Sequence, residues 1–261
     1  MMKRSKVELE NKKVFIWVTL IAIVAVLIFN FYKNGKKEDL TIAQDFSNVE
    51  VESDTANILI MPADGEEAEI ELDNKRYTAD VKMQGDTLKI DVESKWFKWF
   101  TSNFFSKNAT VSIRLPNKEY STIKAETDNG TMKATGIKVG NFIGETDNGE
   151  VIIEDMASRE IFAKSDNGNL VIDESSGTIK GETSNGNLVI TTENLDRPME
   201  LDTDNGEIYI KTTDKPKNAK INVDTDNGFV NVFGQFNSET VFGKGENVIK
   251  LTSNNGSIIV E

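Results

Sequence analysis

The sequence predicts an all-β protein. It is read as a single-stranded parallel β-solenoid (β-helix) of about seven 18–22-residue coils with an N-terminal β cap, preceded by one transmembrane helix. Three observations carry that expectation. A Thr-Asp-Asn-Gly corner and its variants recur with glycines at Gly130, Gly149, Gly168, Gly186, Gly206, Gly228 and Gly256, spaced 19, 19, 18, 20, 22 and 28 residues apart. Strand-type alternation of apolar and polar residues changes parity across each corner. An uncharged run, Val14 to Tyr32, stands near the N-terminus.

Composition narrows the chemistry. The chain has no Cys, so disulfides and thiolate metal sites are excluded, and no His, which removes the usual general base and zinc ligand. Formal charge is −13 and unevenly placed: residues 1–33 hold six Lys/Arg against two Glu, leaving a net −17 on the remainder. A body that acidic avoids nucleic acid and anionic lipid. No cofactor is expected.

Residues 1–13 read as a cytoplasmic N-terminus, because Lys3, Arg4, Lys6, Lys12 and Lys13 outnumber the cations just beyond the apolar run. Residues 14–32 read as a signal anchor. Nineteen residues at helical rise span roughly 28 Å, close to a hydrocarbon core. The residues that follow, Asn30 to Asn34, lack the small-x-small pattern of a cleavage site. The expected location is therefore the cell membrane, single-pass, with the body outside the cytoplasm. Residues 33–45 form a linker.

Residues 46–120 read as an N-terminal β region and cap. Phe46 to Met61 alternates and looks like a worn copy of the later unit, Asn57-Ile58-Leu59-Ile60 resembling Asn187-Leu188-Val189-Ile190 without the Asn-Gly corner. Tyr77 to Met83 and Thr87 to Val92 flank Gln84-Gly85-Asp86 as an antiparallel hairpin. Trp96, Phe97, Trp99 and Phe100 have two readings, a plug for the first coil or a membrane-interface patch.

Residues 121–261 are the solenoid repeats. Counting from the corner Gly, inward residues are expected at minus seven, five and three, then at plus two and four. A strand cannot change parity without bending, so the chain must turn at Asn-Gly, where tolerance of left-handed backbone suits a corner. The structural corner ladder comprises Asn129, Gly130, Asn148, Gly149, Asn167, Gly168, Asn185, Gly186, Asn205, Gly206, Asn227, Gly228, Asn255 and Gly256. Its asparagines sit on the inward parity and are expected to hydrogen-bond from coil to coil.

Candidate surfaces flank the bracket. Acidic columns lie at minus two and minus four, their repulsion offset by salt, by neighbouring Lys or by calcium; Asp128, Asp147 and Asp166 are the candidate metal ligands. At plus three, an outward position, stand Ile152, Val171, Val189, Tyr209 and Ile259, a candidate interaction face. Ile258 to Glu261 ends the chain on a strand with no visible cap, an edge open to self-association.

With Leu115-Pro116, the Ile123 to Gly130 unit and the repeated Asn-Gly-x-apolar-x-apolar pattern, the sequence resembles the bacterial putative-adhesin β-solenoid family of uncharacterised domains. Its anchored layout is similar to LiaG-type proteins of Gram-positive bacteria, encoded beside an envelope-stress sensing system. The resemblance covers about residues 40–261 and carries over no catalytic residue. It implies a non-catalytic binding or scaffolding protein of the cell envelope whose partner is an envelope protein or wall component. The alternatives are a carbohydrate-active enzyme and a cation-binding surface protein.

Overall fold

The structure, a computed structural model, describes residues 38–94 and 109–261. The apolar run at 14–32 and the aromatic cluster at Trp96, Phe97, Trp99 and Phe100 lie outside the described residues.

The described chain is all β, with no helix. Its first strands are β1 (Glu38–Ile42), β2 (Asn48–Ser53), β3 (Asn57–Pro62), β4 (Ala68–Leu72), β5 (Tyr77–Gln84), β6 (Thr87–Ser94) and β7 (Thr110–Leu115). The repeats follow as β8 (Glu119–Thr127), β9 (Met132–Thr135), β10 (Lys138–Asn148), β11 (Val151–Glu154), β12 (Ala157–Asn167), β13 (Leu170–Asp173), β14 (Thr178–Asn185) and β15 (Leu188–Thr192). The last are β16 (Met199–Asn205), β17 (Ile208–Thr212), β18 (Ala219–Asn227), β19 (Val230–Val232), β20 (Glu239–Val241), β21 (Asn247–Asn255) and β22 (Ile258–Val260).

Each coil gives one strand to each of two eleven-stranded sheets. The first runs β1-β4-β7-β3-β9-β11-β13-β15-β17-β22-β19; the second runs β20-β18-β21-β16-β14-β12-β10-β8-β2-β6-β5. Coil-to-coil pairing is parallel, and the strands at the ends, β1, β4, β5 and β20, pair antiparallel. The core lies between the sheets. Ile123, Phe142, Ile161, Ile179 and Ile249 fill it from the second sheet, and Met132, Val151, Leu170, Leu188, Ile208 and Ile258 from the first, all nearly inaccessible. Gly144 and Gly181 occur where Phe142 with Met132, and Leu188 with Leu201, already occupy the space a side chain would take.

The structure corrects the sequence reading in four places. There are nine coils among the described residues, because β2–β3 and β6–β7 stack in register with the repeats, as β2 against β8 and β3 against β9. Residues 46–61 are thus a full coil, with Ala56 in the corner glycine's place. Coil order in space also differs from order in sequence: β2–β3 lies between β6–β7 and β8–β9, and β21–β22 lies between β16–β17 and β18–β19. Consequently β22 has strands on both sides, and the open end belongs to β19 and β20.

The third correction concerns the corner. Its glycines are not in the left-handed region; positive φ falls instead at the far corner six residues later, at Gly136 (φ 66°), Asp155 (50°) and Glu174 (41°). The Asn-Gly corner needs glycine for room. A Cβ on Gly149, Gly168, Gly186 or Gly206 would lie 1.8–2.0 Å from the neighbouring coil's corner carbonyl oxygen. Fourth, the corner asparagines are exposed. The corner bends at Asn-Gly, so the parity that points inward along the strand has already turned to solvent at minus one.

Candidate functional surfaces

The corner bracket ties coils in two ways. Thr or Ser at minus three, buried in six of the seven Asn-Gly coils and half-buried at Thr225, donates its hydroxyl to the adjacent coil's corner carbonyl: Thr146 to Gly130 at 3.2 Å, Ser165 to Gly149 at 2.9 Å, Thr203 to Gly186 at 3.0 Å. On the solvent side each Asn beyond Asn129 donates Nδ2–H to the next Oδ1, and Asn129 donates to the Asp54 carbonyl. The run is Asn148 to Asn129, Asn167 to Asn148, Asn185 to Asn167, Asn205 to Asn185, Asn255 to Asn205 and Asn227 to Asn255, at 2.9–3.1 Å. Asn167→Ala removes one bond on each side and is expected to cost about 1 kcal/mol, a fall in melting temperature of roughly 2–4 °C. An unchanged melting curve would show that the exposed ladder contributes nothing.

The outer face of the second sheet is acidic. Asp128, Asp147, Asp204 and Asp226 are exposed and Asp166 is half-exposed. Lysines offset the repulsion, Lys124 against Glu126 at 2.5 Å, Lys180 against Glu182 at 2.8 Å and Lys164 against Asp166 at 3.7 Å. Coil order adds relief: Asn254 lies between Asp204 and Asp226, and donates to Asp204 at 2.8 Å. Asp128, Asp147 and Asp166 run along the column, and no group of three or more carboxylates able to hold a metal occurs among the described residues.

Asp202 retains the strain. Burial first, then Asp204, Glu182 and Glu200, hold its carboxyl above the usual carboxylate range. A carboxylate with a raised folded pKa favours folding only below its unfolded value, and that contribution is lost as pH rises through the folded one. At neutral pH the Asp202 charge therefore weakens the fold. Because the residue is exposed, the effect is small. Asp202→Asn is expected to raise the melting temperature at pH 7 by on the order of one or two degrees, with the gain gone by about pH 3. A gain equal at both pH values would exclude charge as its cause.

The outer face of the first sheet carries the apolar column. Register pairs Ile152 with Val171, Val171 with Val189, Val189 with Tyr209 and Tyr209 with Ile259. In sequence order Asn231 interrupts this column; in space Asn231 is moved to the edge beside Ile259. The five residues are consecutive and half-buried, a strip roughly 19 Å long at ordinary strand spacing. Glu150 and Glu207 flank it on one side, Glu154, Asp173 and Glu261 on the other, with Tyr209 donating to Glu261 at 2.5 Å. In the longer segment between Gly228 and Gly256, β20 pairs with β18 in the other sheet, away from the strip.

Two features were not anticipated. At the far corner a cavity of about 580 Å³ is lined by Asp155, Glu174, Thr192, Glu193 and Arg197. Arg197 donates to the Ser175 and Gly177 carbonyls and to Thr192 Oγ1, bracing successive loops, while its Nε is buried without a partner. Burial pushes that guanidinium down from its ordinary value. The second feature is a concentration of exposed apolar side chains, Phe229, Phe236, Val241 and Val248, near the β19–β20 end. Phe229 was visible as the single aromatic at plus one, where other coils place Thr, Glu, Asn or Ser.

Even columns on two parallel-rich sheets define a β-solenoid-like stack. The sequence matches the Toastrack DUF4097 family over residues 46–178 and 145–261, and the chain belongs to that family. A solved structure from Bacteroides fragilis described as a putative adhesin is similar at 12% identity and TM-score 0.51, covering 87% of this chain and 98% of the other. A cell adhesion protein described as putative, from Clostridium sporogenes, matches at 15% identity and TM-score 0.37 over 86% and 99%. One from Parabacteroides distasonis, described as a putative lipid binding protein, matches at 14% and 0.31 over 87% and 98%. The first supports the fold. No curated protein matches.

Proposed function

We propose that this chain is a non-catalytic, membrane-anchored protein of the bacterial cell envelope. In this reading the N-terminus is cytoplasmic, and the acidic stack outside the membrane binds or scaffolds an envelope protein. The observation that carries it is the consecutive Ile152–Val171–Val189–Tyr209–Ile259 column on the first sheet's outer face, with β20 in the other sheet and Glu150, Glu207, Glu154, Asp173 and Glu261 beside it. Apolar side chains in a row on an outer face are costly unless a partner buries them. Neighbours described as adhesins are in keeping with a binding role. The resemblance to LiaG-type proteins adds a Gram-positive source and a link to envelope stress.

The test is crosslinking in intact cells followed by identification of captured partners. Val171→Glu with Val189→Glu places two like charges about 4.8 Å apart on an outer face, a cost near 0.9 kcal/mol at the permittivity of water, so the fold survives. The double variant is expected to lose the dominant crosslinked protein. Unchanged capture would refute the role of this face, and enrichment of wall glycan in its place would point to a carbohydrate ligand. Protease added to intact cells should reach the body; protection until lysis would reverse the orientation.

A further inference from the structure

Among the described residues five large apolar side chains are exposed: Leu40, Phe229, Phe236, Val241 and Val248. Four of the five lie between residues 229 and 248. That segment contains β19 and β20, the last strands of the two sheets at the same end of the stack, the loop joining them with Phe236, and the start of β21, two strands in from the end, which carries Val248. Phe236 is 74% exposed, Phe229 53% and Val241 52%, far more than the half-buried strip on the first sheet's face. Even Val230, at an inward position of its coil, is only half-buried, because no further coil covers it.

We infer that this end is a self-association surface, and that its occupant is the same end of a second copy. Charge decides the partner. Residues 213–250 hold five Lys and five Asp or Glu, a net charge of zero, in a chain whose residues beyond 33 carry −17. Two copies meeting through the acidic outer face of the second sheet bring carboxylates against carboxylates, and the strip on the first sheet is flanked by Glu150, Glu207, Glu154, Asp173 and Glu261. Through this end they bring apolar side chains together with ion pairs already internally balanced, such as Lys220 with Glu239. Symmetry favours like against like: identical edge strands pair antiparallel about a two-fold axis, which closes a dimer and buries both apolar patches. The opposite end carries two antiparallel strands, β4 and β1, beyond the last coil strand of the first sheet and β5 beyond that of the second. A head-to-tail filament is therefore the poorer fit.

The chain has no cysteine, so one introduced thiol reports the contact cleanly. Asn237→Cys lies next to Phe236 in the exposed loop, and Lys82→Cys lies on β5 at the opposite end. With the full chain in detergent, mild oxidation is expected to give a disulfide-linked dimer of the Asn237→Cys protein at least tenfold faster than of the Lys82→Cys protein. Adding Phe229→Asp and Phe236→Asp should reduce the Asn237→Cys rate at least tenfold while leaving the circular dichroism spectrum and melting temperature in place. Equal rates at the two ends, no dimer at Asn237→Cys, or a rate indifferent to the two aspartates would each overturn the assignment. Sedimentation of the unmodified full chain supplies a readout without cysteine: the two aspartates are expected to lower its association, and no change would overturn it.

Discussion

Gly168→Ala is expected to unfold the middle of the stack. The added Cβ would stand 1.8 Å from the Gly149 carbonyl oxygen and 2.5 Å from its carbon. Both are backbone atoms, held on either side by parallel pairing, so no side chain can swing aside to make room. Relief requires the coils to part at the corner. That would break the Ser165 to Gly149 hydrogen bond and the Asn167 to Asn148 link together. A loss above about 4 kcal/mol is expected, in the range reserved for severe steric or network damage. Gly65→Ala is the control, since no atom lies within 4 Å of its added Cβ, and a change within about 0.5 kcal/mol is expected there. Urea unfolding of the two variants makes the comparison. If Gly168→Ala falls within about 1 kcal/mol of the parent, the close approach of corner carbonyls is not what demands glycine.

Removing residues 245–261 is expected to dismantle the C-terminal third of the stack. A terminal coil lost from an open solenoid would leave its neighbour frayed but folded, since each repeat contacts only those beside it. Here β21 lies between β16 and β18, and β22 between β17 and β19. The cut therefore takes the parallel partner from β18 and β19, the amide partner from Asn227 and the carbonyl partner from Thr225. It also uncovers Met199, Leu201 and Ile208 on the other side. Hydrogen exchange should show residues 199–242 losing protection together, with β8 to β13 unchanged. Retained protection in β18 and β19 would mean that β18–β19 can close directly onto β16–β17, and that the inserted coil is dispensable.

Much of the local structure was legible in the residues. The inward columns at minus seven, minus five and plus four are the core, from Ile123 and Ala125 to Val260. Gly85, between two period-2 runs, turns the hairpin of β5 and β6 with φ 64°. The reason glycine recurs was not legible. A glycine can answer either a left-handed backbone or a close approach, and the letter is the same for both. The acidic columns and the apolar strip were visible as columns, but their continuity was not: Asn231 interrupts one list of residues and Asn254 another, and only neighbours in space show what each interruption separates.

The sequence by itself determined the coil: its length, its two strands, the bend at Asn-Gly, the inward residues and the chemistry of each outward column. Those follow from side-chain period and from local backbone limits, which act within some twenty residues. The order in which coils stack was decided only by the tertiary structure. Each of the seven Asn-Gly coils presents the same parallel hydrogen-bonding edge, the same Thr or Ser hydroxyl and the same Asn amide, so the repeat makes any of them an acceptable neighbour for any other. The choice fell to the ends, where β6–β7 and β18–β19 moved outward and carried their antiparallel strands with them. That exchange closed the apolar strip across five adjacent strands, separated Asp204 from Asp226, and put Phe229 and Phe236 at the open end of the molecule.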